Sequence, residues 1–257
     1  MKDFINNEVY ENEITECAEL IRSGKFVPED NETFEMLKQM YATTKYKPIE
    51  NMLQGTDCYI IGSGASLKDF DFNAIYGKGY ILAINHSAKY CNSDAIIFID
   101  EKFYYQSKEF LQEYKGTIFA SWQSNYWLNA LTSATVYYFS TIREKTYNGR
   151  LHSQFYKGLY DSGNTGLCAI HLAIIMGAKN IYLLGYDLDS KAKEKHFYDE
   201  NGVDKFSNGG NYKKVEKMAS LIERHSKYFG KYSHIYNCNP NSKIECYKKI
   251  AIEGEAI

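Results

Sequence analysis

The chain has 257 residues, a formal charge of −2 and a pI near 6.3. That length suits one large α/β domain or a domain with an appendage, and charges spread along the chain leave no electrostatic footprint for nucleic acid or an anionic membrane. No apolar run reaches the roughly 18 residues of a transmembrane helix, the acidic start MKDFINNEVYENE is unlike a secretion signal, and the six cysteines show no C-x-x-C spacing, so a cytoplasmic protein with reduced thiols is expected.

Residues 1–55 read as an N-terminal helical extension. Ile14, Cys17, Leu20 and Ile21 fall at helix spacing before Ser23-Gly24, and Phe34, Leu37, Met40 and Tyr41 mark a second helix. From Asp57 the texture changes. Short apolar runs at 58–62, 80–84, 95–99, 117–121, 135–139, 180–185 and 233–237 alternate with helical stretches at 66–76, 103–114, 165–177 and 211–229. Continuously apolar strands alternating with helices predict an α/β fold, a doubly wound and mostly parallel Rossmann-like sheet, over residues 56–257. The polar, aromatic segment 141–164 fits neither period and reads as a lid or substrate loop.

The first chemical motif is CYIIGSGASL, residues 58–67. Gly62, Ser63 and Gly64 end an apolar strand in a tight turn, and Ser66 with Asp69 is expected to form a capping box on the next helix. Such a helix end binds phosphate through its free N–H groups and its dipole. The third glycine of a dinucleotide fingerprint is replaced by Leu67, and Asn85 stands where an acidic residue would end the second strand. A mononucleotide or nucleotide-sugar phosphate fits better than NAD.

Asn85 and His86 follow the second strand and Asp100 the third, where strands deliver side chains to a ligand crevice. The run SGNTGLCAIHLAIIMGAKNIYLLGYD, residues 162–187, supplies a second cradle. Ser162, Gly163, Asn164 and Thr165 open a helix that is apolar nearly all round, and Gly177 stops it. His171 inside that helix reads as a core histidine. Asp187 ends the following strand, and the loop beyond it carries His196, Tyr198 and Asp199. His196 is the best general-base candidate, since imidazole titrates near working pH, and Tyr198 would orient it or meet a leaving phosphate. No P-loop, zinc-protease helix or nucleophile elbow occurs.

Taken as a set, GSGASL, AINHS, SGNTGLCAIHLAIIMGAKNIYLLGYDL and IYNCNPNS make residues 57–247 resemble the bacterial sialyltransferase-like glycosyltransferases of family 42. They also resemble the related 6-hydroxymethylpterin diphosphokinase-like proteins and motility-accessory glycosyltransferases. The resemblance implies sugar transfer from a CMP-activated donor without metal. Gly62, Ser63, Gly64 and Ser66 would meet the nucleotide phosphates, Asn85 the donor, Asn164 and Thr165 a phosphate or sugar carboxylate, and His196 the acceptor hydroxyl.

Two positions depart from family 42. Asp161 and Ser162 stand where it has an arginine, with Arg150 the nearest, and Asp189 replaces a tyrosine after the G-x-D strand, leaving Tyr198 to supply the phenol. The diphosphokinase-like branch implies instead ATP with Mg²⁺, carried by Asp100 and Asp187, and a pterin hydroxyl as acceptor. The expected partners are therefore a nucleotide donor and a small-molecule or glycan acceptor, with no nucleic acid and with homo-oligomers open. A nucleotide-binding sensor without turnover is the alternative outside the enzymes.

Overall fold

The computed structural model describes residues 49–121, 134–142, 152–153, 155–160, 163–191, 196–198 and 212–252. The helices expected within residues 1–48, together with Arg150, Asp161, Ser162 and Asp199, lie outside them.

All seven apolar runs form strands: β1 (Cys58–Ile61), β2 (Tyr80–Ile84), β3 (Ala95–Phe98), β4 (Thr117–Ser121), β5 (Thr135–Phe139), β8 (Asn180–Leu184) and β9 (His234–Asn237). With β10 (Lys248–Lys249) they make one sheet in the order β10-β9-β8-β1-β2-β3-β4-β5, and every pairing in it is parallel. β1 and β3 are buried at every position, as strands covered on both faces must be. The chain builds outward from β1 to β5 and then returns to place β8 on the other side of β1. The topological switch point, where open α/β sheets bind ligands at the carboxyl ends of their strands, therefore lies between β1 and β8.

Among the described residues the helices are more broken than the sequence predicts. Residues 66–76 hold two 3₁₀ turns, Ala65–Leu67 and Phe72–Ala74, in place of one α-helix. Asp71 accounts for the break, because its carboxylate accepts from the Asn73 N–H and amide and holds a local turn that competes with helix. The 103–114 stretch divides at Ser107 into α1 (Glu101–Gln106) and α2 (Lys108–Glu113). α3 (Thr165–Ile175) is buried along its whole length and packs against β1, β2, β3 and α4 (Tyr212–Phe229). A helix leading directly into a parallel strand runs antiparallel to it, so the N-terminus of α3 faces the carboxyl edge of the sheet.

Part of the segment read as a lid belongs to the core. β6 (Thr141–Ile142) pairs with β7 (Leu159–Tyr160), and Phe155 is fully buried against Phe119 and Phe139. Residues 143–151 lie outside the described residues.

Candidate functional site

Every N–H group of the β1 turn can be traced. Gly62 N–H donates to the Leu184 carbonyl at 2.7 Å and Gly64 N–H to the Gly185 carbonyl at 2.9 Å. Ser66 N–H donates to Asp187 Oδ2 at 2.8 Å, and Leu67 N–H to the Gly64 carbonyl at 3.1 Å. The Ser63 and Ala65 N–H groups have no partner among the described residues. The turn is thus stitched to the β8 tip through three of its N–H donors, spends a fourth within itself and keeps two.

The glycines serve that close approach. A Cβ on Gly64 would lie 2.4 Å from the Asp187 carboxyl carbon, and one on Gly185, whose φ is +67°, would lie 2.7 Å from Leu67 Cδ1. Leu67, 4% exposed, fills the space left beside Gly185. Ser66 does not cap a helix. The cap position is Gly64, with no side-chain bond, and the Ser66 hydroxyl donates to Asp187 Oδ1 at 2.5 Å instead. The capping box with Asp69 is therefore replaced by a link across 121 residues. Asn239 Nδ2 donates to the same Asp187 oxygen at 2.7 Å, so one carboxylate ties together the tips of β1, β8 and β9.

On the β2 side the turn meets the histidine loop. His196 Nδ1 lies 2.9 Å from Ser63 Oγ, and Phe197 N–H donates to the Ser63 carbonyl at 3.1 Å. The Tyr198 ring, 5% exposed, stacks on His196 (5.2 Å, 6°) and on Tyr90 (5.1 Å, 7°), and meets His86 edge-on at 6.2 Å. Burial pushes the Tyr90 phenol above its ordinary pKa. The fully buried Ser87 fixes the neighbouring turn by donating its hydroxyl to the Gly62 carbonyl at 2.7 Å.

Asn85 has φ +51°, a conformation Asn tolerates better than most side chains, and its buried Oδ1 has no hydrogen-bond partner. Asn164 caps α3 as expected, Oδ1 accepting from Gly166 N–H at 2.8 Å and Leu167 N–H at 3.4 Å, while its buried Nδ2 has no partner. Thr165 is buried behind it, and Gly163 is exposed with φ +80°. Most buried polar atoms are hydrogen-bonded, so these two stand out beside the turn.

Asp100 stands apart from this cluster. It is exposed at the β3 tip, and β3 is separated from β8 by β1 and β2. Three interstrand spacings put about 14 Å between the Asp100 and Asp187 tips, whereas a shared Mg²⁺ requires both carboxylates within about 2 Å of the ion. With Asp187 already accepting three hydrogen bonds, the paired-carboxylate Mg²⁺ arrangement expected for these two residues does not form. Among the described residues no group of three or more His, Cys, Asp and Glu is arranged to hold a metal ion, and no helix is long and apolar enough to cross a membrane.

Sequence reasoning found most of the cluster but missed Tyr90, Ser87 and Asn239, because each acts through a partner distant in sequence. The only available signal for Asn239 was its place in the IYNCNPNS run after the last predicted strand.

Fold and site together define a parallel Rossmann-like α/β protein with a glycine turn and a histidine loop meeting at the switch-point edge of its sheet. The chain belongs to the 6-hydroxymethylpterin diphosphokinase MptE-like family, whose sequence profile matches residues 31–193. Among solved structures it is similar to the MAf glycosyltransferase from Magnetospirillum magneticum AMB-1, at 16% identity and a TM-score of 0.54 over 95% of this chain and 42% of that one. The chain thus spans less than half of that protein, and the likeness is one of fold. It is also similar, at 19% identity and a TM-score of 0.43, to the Campylobacter jejuni sialyltransferase CstII solved with the substrate analogue CMP-3FNeuAc, covering 76% of this chain and 86% of that one. No curated protein matches the chain by sequence.

Proposed function

We propose that the protein is a nucleotide-dependent transferase that moves a sugar from a nucleotide-sugar donor to a hydroxyl acceptor. The observation that carries this reading is the contact of His196 Nδ1 with Ser63 Oγ at 2.9 Å, which sets an imidazole against the turn suited to a phosphate. With Nδ1–H donating to that hydroxyl, Nε2 is the basic nitrogen. It takes the acceptor proton as the acceptor oxygen attacks the sugar, and the glycosidic bond breaks toward the nucleotide phosphate.

Only the Ser63 and Ala65 N–H groups remain unspent in the turn, which favours a donor presenting a single phosphate, as a CMP-sugar does. Asn85 and Asn164, with their unpaired polar atoms, would complete the donor site. A second reading, diphosphoryl transfer from Mg-ATP to a pterin hydroxyl, is favoured by the family match. Its metal would need ligands other than the Asp100 and Asp187 pair.

Thermal shift with CMP, CDP, UDP, GDP and ATP, each with and without Mg²⁺, separates the readings. A ligand at 100 times its Kd stabilises by about 2.7 kcal/mol. Glycosyl transfer predicts stabilisation by CMP in either condition and release of CMP from a CMP-sugar, abolished in His196→Ala. Stabilisation by Mg-ATP alone, with AMP released when a pterin alcohol is added, would replace this reading with the second. Binding without turnover of any donor would make the protein a nucleotide sensor.

A further inference from the structure

Among the contacts that hold the His196–Tyr198 segment to the β2 side of the site is one residue that has no polar role in it. Tyr90 follows the 3₁₀ turn after β2, stacks on the Tyr198 ring at 5.1 Å and 7°, and meets Phe197 edge-on at 5.5 Å and 75°. Tyr198 in turn stacks on His196 at 5.2 Å and 6°. Three nearly parallel rings therefore run from Tyr90 through Tyr198 to the imidazole. The Tyr90 hydroxyl makes no hydrogen bond with any described residue, so the ring itself makes the contact. Other anchors of the segment include its two bonds to Ser63, the Phe72 ring against Phe197 at 6.2 Å, and the His86 edge on Tyr198.

We infer that Tyr90 is a positioning residue for His196, acting through the Tyr198 ring to set the plane of the imidazole against Ser63. This rests on the reading of His196 as the acceptor base. Stacked rings at these separations resist tilting, and an imidazole whose Nδ1 must stay on Ser63 Oγ while Nε2 meets an acceptor tolerates little rotation. Tyr90 touches neither donor nor acceptor in this scheme. It governs how often His196 is aligned and leaves the donor's own contacts at Ser63, Ala65, Asn85 and Asn164 intact.

Two variants test it, Tyr90→Leu, which keeps apolar bulk under Phe197, and Tyr90→Phe, which keeps the ring and drops only the hydroxyl. The first readout is the proton NMR signal of the His196 ring, assigned by its loss in His196→Gln. In the wild type the His196 ring stacks on Tyr198, so these protons should resonate upfield of an unstacked imidazole. Tyr90→Leu should move them toward the unstacked position and lower kcat by up to about a hundredfold, with nucleotide Kd unchanged. Tyr90→Phe should restore both the signal and the rate.

Wild-type His196 signals in Tyr90→Leu would overturn the inference, and so would a loss of nucleotide affinity as large as the loss of rate. If the wild type turns over no donor, the transferase reading fails separately, and the His196 ring signals alone decide whether Tyr90 positions the ring.

Discussion

Replacing Asp187 by Ala tests whether this carboxylate is a structural tie across the switch point. In the folded protein it accepts Ser66 N–H at 2.8 Å, the Ser66 hydroxyl at 2.5 Å and Asn239 Nδ2 at 2.7 Å. Ser66 is exposed, so water replaces its lost acceptor at a net cost of a few tenths to about 1 kcal/mol per bond. Asn239 is 6% exposed, and stranding its amide costs a further ~1–3 kcal/mol. The sum is about 2–5 kcal/mol, a fall in Tm of roughly 4–20 °C for a domain of this size. Urea melts of Asp187→Ala, Ser66→Ala and the double variant supply a double-mutant cycle. Residues joined as described should show a coupling energy above about 0.5 kcal/mol. Additive losses would refute the tie, and an unchanged Tm with abolished turnover would return Asp187 to a catalytic role.

The buried histidine of α3 sets an acid limit. Burial first, and then the neighbouring His152, pushes the His171 pKa down to about 3, so between pH 6.5 and 3 the unfolded chain binds the extra proton and stability falls as pH falls. The loss should be about 1.4 kcal/mol per unit below 6.5; His171→Leu should flatten urea midpoints between pH 6.5 and 5, and an unchanged slope would assign the effect to other groups. Asn164→Ala removes the acceptor for two N–H groups and should cost about 1–2 kcal/mol in urea melts, with weaker nucleotide binding in the proposed reading. Leu67→Ala empties the space beside Gly185 and should cost about 2–5 kcal/mol by the same measurement, as a core truncation does.

The sheet was legible because its signal is local. Each strand is a short run of residues that meet no water on either face, and the seven runs are found where the sequence puts them. α3 was legible for the same reason, with Asn164 at its cap and Gly177 in the left-handed conformation just past its end. The 66–76 helix failed because Asp71 turns the backbone onto its own carboxylate, a choice that apolar spacing does not register. In GSGASL the sequence correctly indicated a tight turn. It did not reveal that Ser66 answers to Asp187, because that pairing depends on β8 returning beside β1. Tyr90 was invisible for a similar reason, since its spacing from Tyr198 fits no helix or strand period.

These contacts give the two sides of the switch point different capacities. On the β8 side, Gly62, Gly64 and Ser66 spend their donors on the Leu184 and Gly185 carbonyls and on Asp187, and the Asp187 carboxylate lies against Gly64. A phosphate approaching there would meet a negative charge and no spare N–H. On the β2 side, Ser63 and Ala65 keep theirs, Asn85 keeps an unpaired carbonyl oxygen, and His196 stands on Ser63. In the proposed reading, hydrogen-bond supply therefore directs the donor phosphate to Ser63. In the proposed reading the latch and the base are two parts of one arrangement: Asp187 fixes the turn from one side, and His196 and its ring stack operate on the other. That reading calls for a single-phosphate donor, because a second phosphate reaching toward β8 would have to displace Asp187 from the Ser66 N–H.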